Sequence, residues 1–140
     1  MLLSILIIFL NLTITNPFDL YQTNLIQSEK SLVKRKLIVF SGSDWCKNCI
    51  RFKQEVLSNE VFTSFARDNI EIVTVDFPQR KKLSKEEIVR NEALAEKYNR
   101  EGEFPRLVLL SEDGSDSKII PYTSQGPEEF VMQLKNQLAR

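Results

Sequence analysis

The chain has 140 residues, of which 42% are hydrophobic and 27% charged, a composition typical of one globular domain with its own core. Its 19 basic and 19 acidic residues cancel, so the net charge gives no drive toward nucleic acid or acidic membrane surfaces. The local basic runs Lys34-Arg35-Lys36 and Arg80-Lys81-Lys82 are interpreted as solvated turns. Histidine is absent, which excludes Cys-His and Ser-His catalysis and removes the commonest metal ligand.

Residues 1–15 form an uncharged leader rich in Leu and Ile. About ten strongly apolar residues are too few to cross a bilayer, which takes roughly twenty. The length fits the apolar part of a secretory signal peptide, and Thr13-Ile14-Thr15 offers a small-residue cleavage site. We therefore expect export to the periplasm, cell envelope or extracellular space. An uncleaved N-terminal anchor and a buried core helix are the alternatives.

Residues 16–35 are predicted to form an N-terminal helical extension, with an amphipathic helix over residues 19–35. The apolar run at residues 37–40 then predicts a strand covered on both faces. Residues 41–44, Ser-Gly-Ser-Asp, are turn formers that also supply capping oxygens for a following helix.

Helical periodicity begins at Lys47 and is interrupted at Ser58-Asn59, where we expect a kink or a fresh N-cap. Residues 70–76 are rich in β-branched side chains and predict a second inner strand. Residues 78–87 have no apolar period and predict a surface loop, followed by a helix around residues 86–98. The side chains expected on the inner face of this helix are Ile88, Leu94, Ala95 and Tyr98.

The C-terminal third predicts a strand at residues 106–110, a turn at Asp113-Gly114 and a short returning strand at residues 118–121. Pro127 opens a last helix. Its inward side chains are expected to be Val131, Leu134 and Leu138. This order of elements predicts an α/β fold, with one mixed four-stranded sheet flanked by helices on both faces.

The chain has only two cysteines, Cys46 and Cys49, at the junction between the first strand and the next helix. A cysteine at a helix N-terminus faces unpaired backbone N–H groups and the positive end of the helix dipole, which favours the thiolate. We expect Cys46 to occupy that position as the exposed nucleophile, and Cys49 to lie one turn later on the same side but deeper. These features favour a redox pair.

Two other uses of the cysteine pair stay open. A structural disulfide would close a very small loop and stabilise the fold little. A zinc site usually takes four ligands, whereas this chain offers two thiols and no imidazole, so we expect no bound metal. A soft ion such as copper(I), or a site shared with a second subunit, is the remaining metal alternative.

The motif Trp45-Cys46-Lys47-Asn48-Cys49 follows the first strand, and Phe104-Pro105 stands directly before the third. Together with the element order, these features resemble the thioredoxin family, and most of all its exported bacterial members with a WCxxC motif. The resemblance covers residues 36–140, which form the expected thioredoxin-like domain. In the family, the proline before the third strand has a cis peptide bond.

The resemblance implies thiol–disulfide exchange with protein substrates, in which Cys46 is the nucleophile and Cys49 the resolving thiol. No cofactor is required, since the electrons reside on the two sulfurs. The backbone at Pro105 would pair with the substrate peptide. The side chains implied in further substrate contact are Trp45, Lys47, Asn48 and Phe104.

The implied partners are thiol- or disulfide-bearing proteins and an upstream donor or acceptor of electrons. A monomer is expected, with membrane contact only through an uncleaved leader and no contact with nucleic acid. The same scaffold can reduce, oxidise or isomerise disulfides, so the direction of exchange stays open. The alternative function is a thioredoxin-fold binding or folding-helper module without turnover.

One position departs from the family pattern. Many thioredoxins have a buried acidic residue six positions before the first cysteine, which helps to deprotonate the second cysteine, and here Phe40 occupies that position. Asp44 is expected nearer the surface, where its negative charge would oppose thiolate formation at Cys46.

Overall fold

The computed structural model describes residues 34–139. The predicted leader at residues 1–15 and the predicted helical extension up to residue 33 lie outside the described residues. The extension was predicted to reach Arg35, and this boundary is wrong. Arg35 instead begins the first strand and pairs with Ile70 across the sheet.

Four strands form one sheet: β1 (Arg35–Ser41), β2 (Ile70–Asp76), β3 (Arg106–Leu110) and β4 (Ser117–Ile119). The helices are α1 (Lys47–Phe52), α2 (Glu60–Asn69), α3 (Lys85–Tyr98) and α4 (Pro127–Leu138). The strand order is β2-β1-β3-β4, with β1 and β2 parallel and the other two pairs antiparallel. The predicted mixed four-stranded sheet is confirmed.

The central strand β1 is buried on both faces, as its apolar run predicts. Leu37 and Val39 point into a core formed with α1, α2 and α4, whereas Ile38 and Phe40 point into a second core formed with α3. Phe40 is fully buried in this second core. The helices therefore cover both faces of the sheet.

The helix after the cysteines changes its winding before it ends. α1 continues into a π-helical segment, Lys53–Leu57, in which the Ser58 N–H donates to the Lys53 carbonyl at 2.9 Å. The Asn59 side chain then accepts from the Val61 N–H at 2.9 Å and starts α2. The predicted interruption at Ser58-Asn59 is confirmed as a fresh N-cap, while the sequence pattern did not indicate the π-helical turn.

Helix α3 presents a different residue inward from the one predicted. Ile88, predicted to face inward, is 41% exposed, whereas Asn91 is only 2% exposed. The Asn91 amide donates to the Asp76 carbonyl at 2.8 Å and so replaces an apolar contact with a hydrogen bond to the end of β2. Leu94, Ala95 and Tyr98 do pack against the second core, as predicted.

The C-terminal elements differ from the prediction mainly in the hairpin. β4 covers three residues, Ser117–Ile119, and ends before Pro121, which was predicted to belong to it. Pro121 has no N–H to donate and therefore cannot extend the ladder. α4 begins at Pro127 as predicted. No helix within residues 34–139 is long and apolar enough to cross a membrane.

We expect the first core to depend strongly on Phe130 of α4, which is fully buried and packs its ring 5.2 Å from that of Phe52. Phe130→Ala should lower the free energy of unfolding by about 3–5 kcal/mol, because it removes apolar contacts and leaves a cavity. Urea denaturation of the full chain measures this loss.

The matched control is Met132→Ala on the same helix, because Met132 is 63% exposed. It should change the free energy of unfolding by less than about 0.5 kcal/mol. Equal losses in the two variants would contradict this description of the core.

Candidate active site

Cys46 and Cys49 are joined by a disulfide with an S–S distance of 2.09 Å and a Cα–Cα distance of 5.2 Å. Cys46 is the N-cap of α1, with extended backbone angles of φ −82° and ψ 102°. The Cys49 N–H donates to the Cys46 Sγ at 3.1 Å. A backbone donor aimed at this sulfur would stabilise negative charge on it after the disulfide is reduced.

Cys46 is the more accessible of the two cysteines, but it is not the exposed residue that the sequence predicts. Its exposed fraction is 7%, against 2% for Cys49. The reason is local: its sulfur is bonded to Cys49, and its N–H donates to the Gly42 carbonyl at 2.9 Å. Lys47 and Asn48, the two residues between the cysteines, are exposed in the first turn of α1.

Trp45 is held beside the disulfide by three contacts. Its Nε1–H donates to the Phe77 carbonyl at 2.7 Å, and its ring packs edge-on against Phe104 at 5.4 Å. The ring also lies against Gly42, where an added Cβ would come within 2.3 Å of it. Trp45 nevertheless stays 39% exposed. It thus presents a fixed apolar surface to solvent next to Cys46.

Pro105 lies close to the cysteine pair. The Phe104–Pro105 peptide bond is cis, and Phe104 packs against both Trp45 and Phe77. Pro105 and Cys49 line one cavity of about 400 Å³. The structure therefore brings Trp45, Phe104 and Pro105 to the same end of the domain as the cysteines.

Two carboxylates join the loop before Cys46 to the loop after β2. Asp44 accepts from the backbone N–H groups of Gln79, Arg80 and Lys81 at 2.9, 2.7 and 3.2 Å. The bond from Gln79, with further contributions from the other two, holds the pKa of Asp44 below its ordinary value of 3.8. The sequence interpretation treated this carboxylate only as a charge near the thiolate, and missed that it binds the neighbouring loop.

Asp76 makes the second connection: here the acceptor is at the end of β2 and the donor is in the loop before Cys46. It accepts from the N–H of Ser43 at 2.9 Å and from its hydroxyl at 2.5 Å. The sequence contains one signal for this contact, since the two predicted parallel strands must end at the same edge of the sheet. The structure pairs Asp76 with Ser41 at that edge. Asp76 also lines the cavity that contains Cys49.

The position of the family's buried acid is apolar in the structure as well. Phe40 packs with Val75 and Val108, so no carboxylate approaches Cys49 from that position on β1. Within residues 34–139, no group of three or more cysteine or carboxylate side chains could hold a metal ion.

Comparison with known proteins is consistent with this geometry. The family model described as "Thioredoxin-like" matches residues 29–111. The chain is 32% identical over 101 residues to the disulfide bond reductase DsbH of Chlamydia pneumoniae, covering 72% of this chain and 60% of that protein. It is 28% identical over 88 residues to the thioredoxin-related protein DsbJ of the same organism, covering 63% of this chain and 25% of that protein. The chain thus spans less than two thirds of the length of either relative.

Solved structures show the same fold. The structure of a DsbH oxidoreductase has a TM-score of 0.71 and 29% sequence identity, covering 85% of this chain and 81% of its own. A thioredoxin from Thermus thermophilus has a TM-score of 0.54 at 17% identity, covering 82% of this chain and 79% of its own, a likeness of fold alone.

Gly42→Ala should displace the Trp45 ring, because the new methyl group would lie 2.3 Å from it. Trp45 is the only tryptophan of the chain, so its fluorescence reports its surroundings directly. We expect a red-shifted emission and easier quenching by iodide in the variant.

Gly126→Ala is the matched control, since a Cβ there meets nothing closer than 3.7 Å. It should leave the emission and the quenching unchanged. An unchanged spectrum in Gly42→Ala would contradict the close packing of the ring on Gly42.

Asp44→Ala should release the loop after β2, because three backbone N–H groups lose their acceptor. We expect the amide protons of Gln79, Arg80 and Lys81 to exchange roughly tenfold faster in the variant. Hydrogen exchange followed by NMR measures each amide separately.

The control for this prediction is Asp113→Ala, which removes a comparable set of hydrogen bonds in the β3–β4 turn and should leave the three amides unchanged.

The sign of the pH dependence follows from the lowered pKa of Asp44. Its contribution to stability is complete above the ordinary value of 3.8 and is lost as the pH falls through the lower folded value. Loss of protection already at pH 5 would contradict this assignment.

Proposed function

The chain belongs to the thioredoxin-like family, and on that basis we propose that it is a thiol–disulfide oxidoreductase that acts on proteins through Cys46 and Cys49. The observation that carries the proposal is the cysteine pair itself. The two sulfurs are bonded at the start of α1, with the Cys49 N–H directed at the Cys46 Sγ. This arrangement suits a pair that is reduced and reoxidised in each cycle.

The proposed reaction is the reduction of a substrate disulfide. The Cys46 thiolate attacks one substrate sulfur, forming a mixed disulfide, and the displaced substrate sulfur leaves as a thiolate that takes up a proton from water. Cys49 then loses its proton to water and attacks the Cys46 sulfur, which releases the second substrate thiolate. The substrate gains two electrons and becomes a dithiol, while Cys46 and Cys49 become a disulfide.

The reductive direction is supported by the similarity to a protein named as a disulfide bond reductase. A dithiol donor must then reduce the Cys46–Cys49 disulfide again after each turnover. The two sulfurs carry both electrons, so the exchange proposed here requires no further cofactor.

The substrate would bind across the surface that surrounds the disulfide. The Pro105 backbone pairs with the substrate peptide in this proposal, beside the cavity that Pro105 shares with Cys49. Trp45 and Phe104 supply apolar contact area, because their rings are packed together and Trp45 stays partly exposed. Lys47 and Asn48 are exposed between the cysteines and contact the partner from α1.

We further propose that the protein works outside the cytoplasm, in the periplasm or cell envelope. The support is the apolar leader at residues 1–15, which has the length of a signal peptide. The donor that reduces the protein would then have to supply electrons in that compartment.

Cys46→Ser should abolish the reduction of a neutral model peptide disulfide by the protein in the presence of a dithiol donor. Serine cannot form the mixed disulfide, so the rate should fall to that of the donor alone. Equal rates for wild type and Cys46→Ser would favour the alternative of a binding or folding-helper module.

Cys49→Ser serves as the matched variant, since it retains the nucleophile and removes only the resolving thiol. It should accumulate a mixed disulfide with the peptide, visible by mass spectrometry. Thermal unfolding of both serine variants checks that they fold to the same extent.

A further inference from the structure

We propose that the protein selects acidic substrates, namely polypeptides with Asp or Glu close to the disulfide that is reduced. The inference rests on the proposed function and names its substrate class. The recognising surface, called here the basic rim, consists of Lys47, Lys53, Arg80, Lys81 and Lys82.

The basic rim comes from three parts of the chain that lie near the cysteine pair: α1, the π-helical segment and the loop after β2. Lys47 lies between the two cysteines on α1, and Lys53 begins the π-helical segment that follows α1. Lys53 and Lys81 line the cavity of about 400 Å³ that also contains Cys49. All five side chains of the rim are exposed. Three of them, Arg80, Lys81 and Lys82, come from the loop after β2, which the sequence alone indicates only as a solvated turn.

The backbone of this loop is fixed relative to the cysteines. Asp44, two residues before Cys46, accepts the N–H groups of Arg80 and Lys81, and Trp45 donates to the Phe77 carbonyl. These bonds hold the basic run beside the site before any substrate arrives. A preformed binding surface loses less conformational entropy when it engages its partner.

The cations of the rim are not neutralised by ion pairs within the domain. Among residues 34–139, none of the five has a carboxylate within 4.0 Å, whereas Arg51, Arg100 and Arg106 each do. The total charge of the chain is zero, so the local excess of cations arises from their placement and not from the composition.

The carboxylates that border the rim already accept hydrogen bonds. Asp44 binds the backbone of the loop, Asp76 binds Ser43, and Glu87 accepts from the Ser84 N–H at 2.8 Å in the cap of α3. Glu101 and Glu103, which precede Pro105 in the chain, pair with Arg106. The donors to Asp44, Asp76 and Glu87 are neutral and leave the charge of each carboxylate in place, so the five cations of the rim stand beside three negative charges and a local excess of positive charge remains.

An apolar groove accompanies the rim. Lys81 and Lys82 line a cavity of about 430 Å³ together with Phe77, Pro78, Leu83 and Ile88. Lys81 also lines the cavity with Cys49, so one cation borders both spaces. A substrate segment that carries a carboxylate next to an apolar side chain fits this combination. Charge complementarity at such an exposed site acts mainly on the association rate.

The test uses three disulfide-linked peptides that differ only in the residues flanking the half-cystine, which are Glu, Gln or Lys. Reduction by the full-length protein with a dithiol donor gives kcat/KM for each peptide. At about 20 mM ionic strength we expect the Glu peptide to exceed the Lys peptide roughly tenfold, with the Gln peptide between them. This ratio should approach one at about 0.5 M salt, where charges are screened beyond roughly 4 Å.

Variants then locate the source of the selectivity. Lys81→Glu combined with Lys82→Glu should lower the Glu-to-Lys peptide ratio at least about fivefold, and Lys81→Gln should lower it less. Lys118→Glu is the matched control, because Lys118 is an exposed residue of β4 at the opposite edge of the sheet. Within each variant, the ratio cancels any general loss of activity.

The outcomes separate the two proposals. If the Gln peptide is reduced no faster by wild type than by Cys46→Ser, the proposed function fails, and the substrate preference fails with it. If reduction depends on Cys46 but the three peptides react equally at low salt, only the preference for acidic substrates is overturned. An equal change of the ratio in Lys118→Glu and in the Lys81, Lys82 variant would also overturn the assignment to the basic rim.

Discussion

The parallel pairing of β1 with β2 is the constraint on which the site depends. Its register sets Ser41 opposite Asp76, so both strands end at one edge and their following loops run side by side. One loop leads to Cys46 and the other carries the basic run. Asp44 then accepts backbone N–H groups of the loop after β2, and Asp76 accepts from Ser43 in the loop before Cys46. A shift of register by one residue would break both connections and turn Phe40 out of its core.

The burial of β1 on both faces has a chemical consequence for Cys49. Phe40 is fully buried in the second core, so an apolar side chain stands at the position of the family's acid. The polar residues that line a cavity with Cys49 include Asp76 at the end of β2, Ser43 in the loop before Cys46 and Lys53 after α1. The surroundings of Cys49 thus differ from those expected in thioredoxins that have the buried acid.

The sequence predicted those parts of the fold that follow from local patterns. The apolar and β-branched runs predicted β2 and β3 with correct bounds, and Asn59 signalled its cap because capping needs only a nearby side-chain oxygen. Helical periodicity wrongly predicted that Ile88 faces inward. Asn91 takes the buried position because its side chain donates to the Asp76 carbonyl, which belongs to a different element of the chain. The hydrogen bonds of Asp44 likewise join residues 35 to 37 positions apart in the sequence, and a local sequence pattern cannot predict such distant contacts.

The close approach of Trp45 to Gly42 also constrains how this site can change over evolutionary time. The indole ring occupies the space that any larger residue at position 42 would need. A side chain at 42 is therefore compatible only with a smaller or reoriented residue at 45, and the two positions must vary together. The aromatic residue of the WCKNC motif depends in this way on a glycine outside the motif, so the structural unit that positions it begins at Gly42.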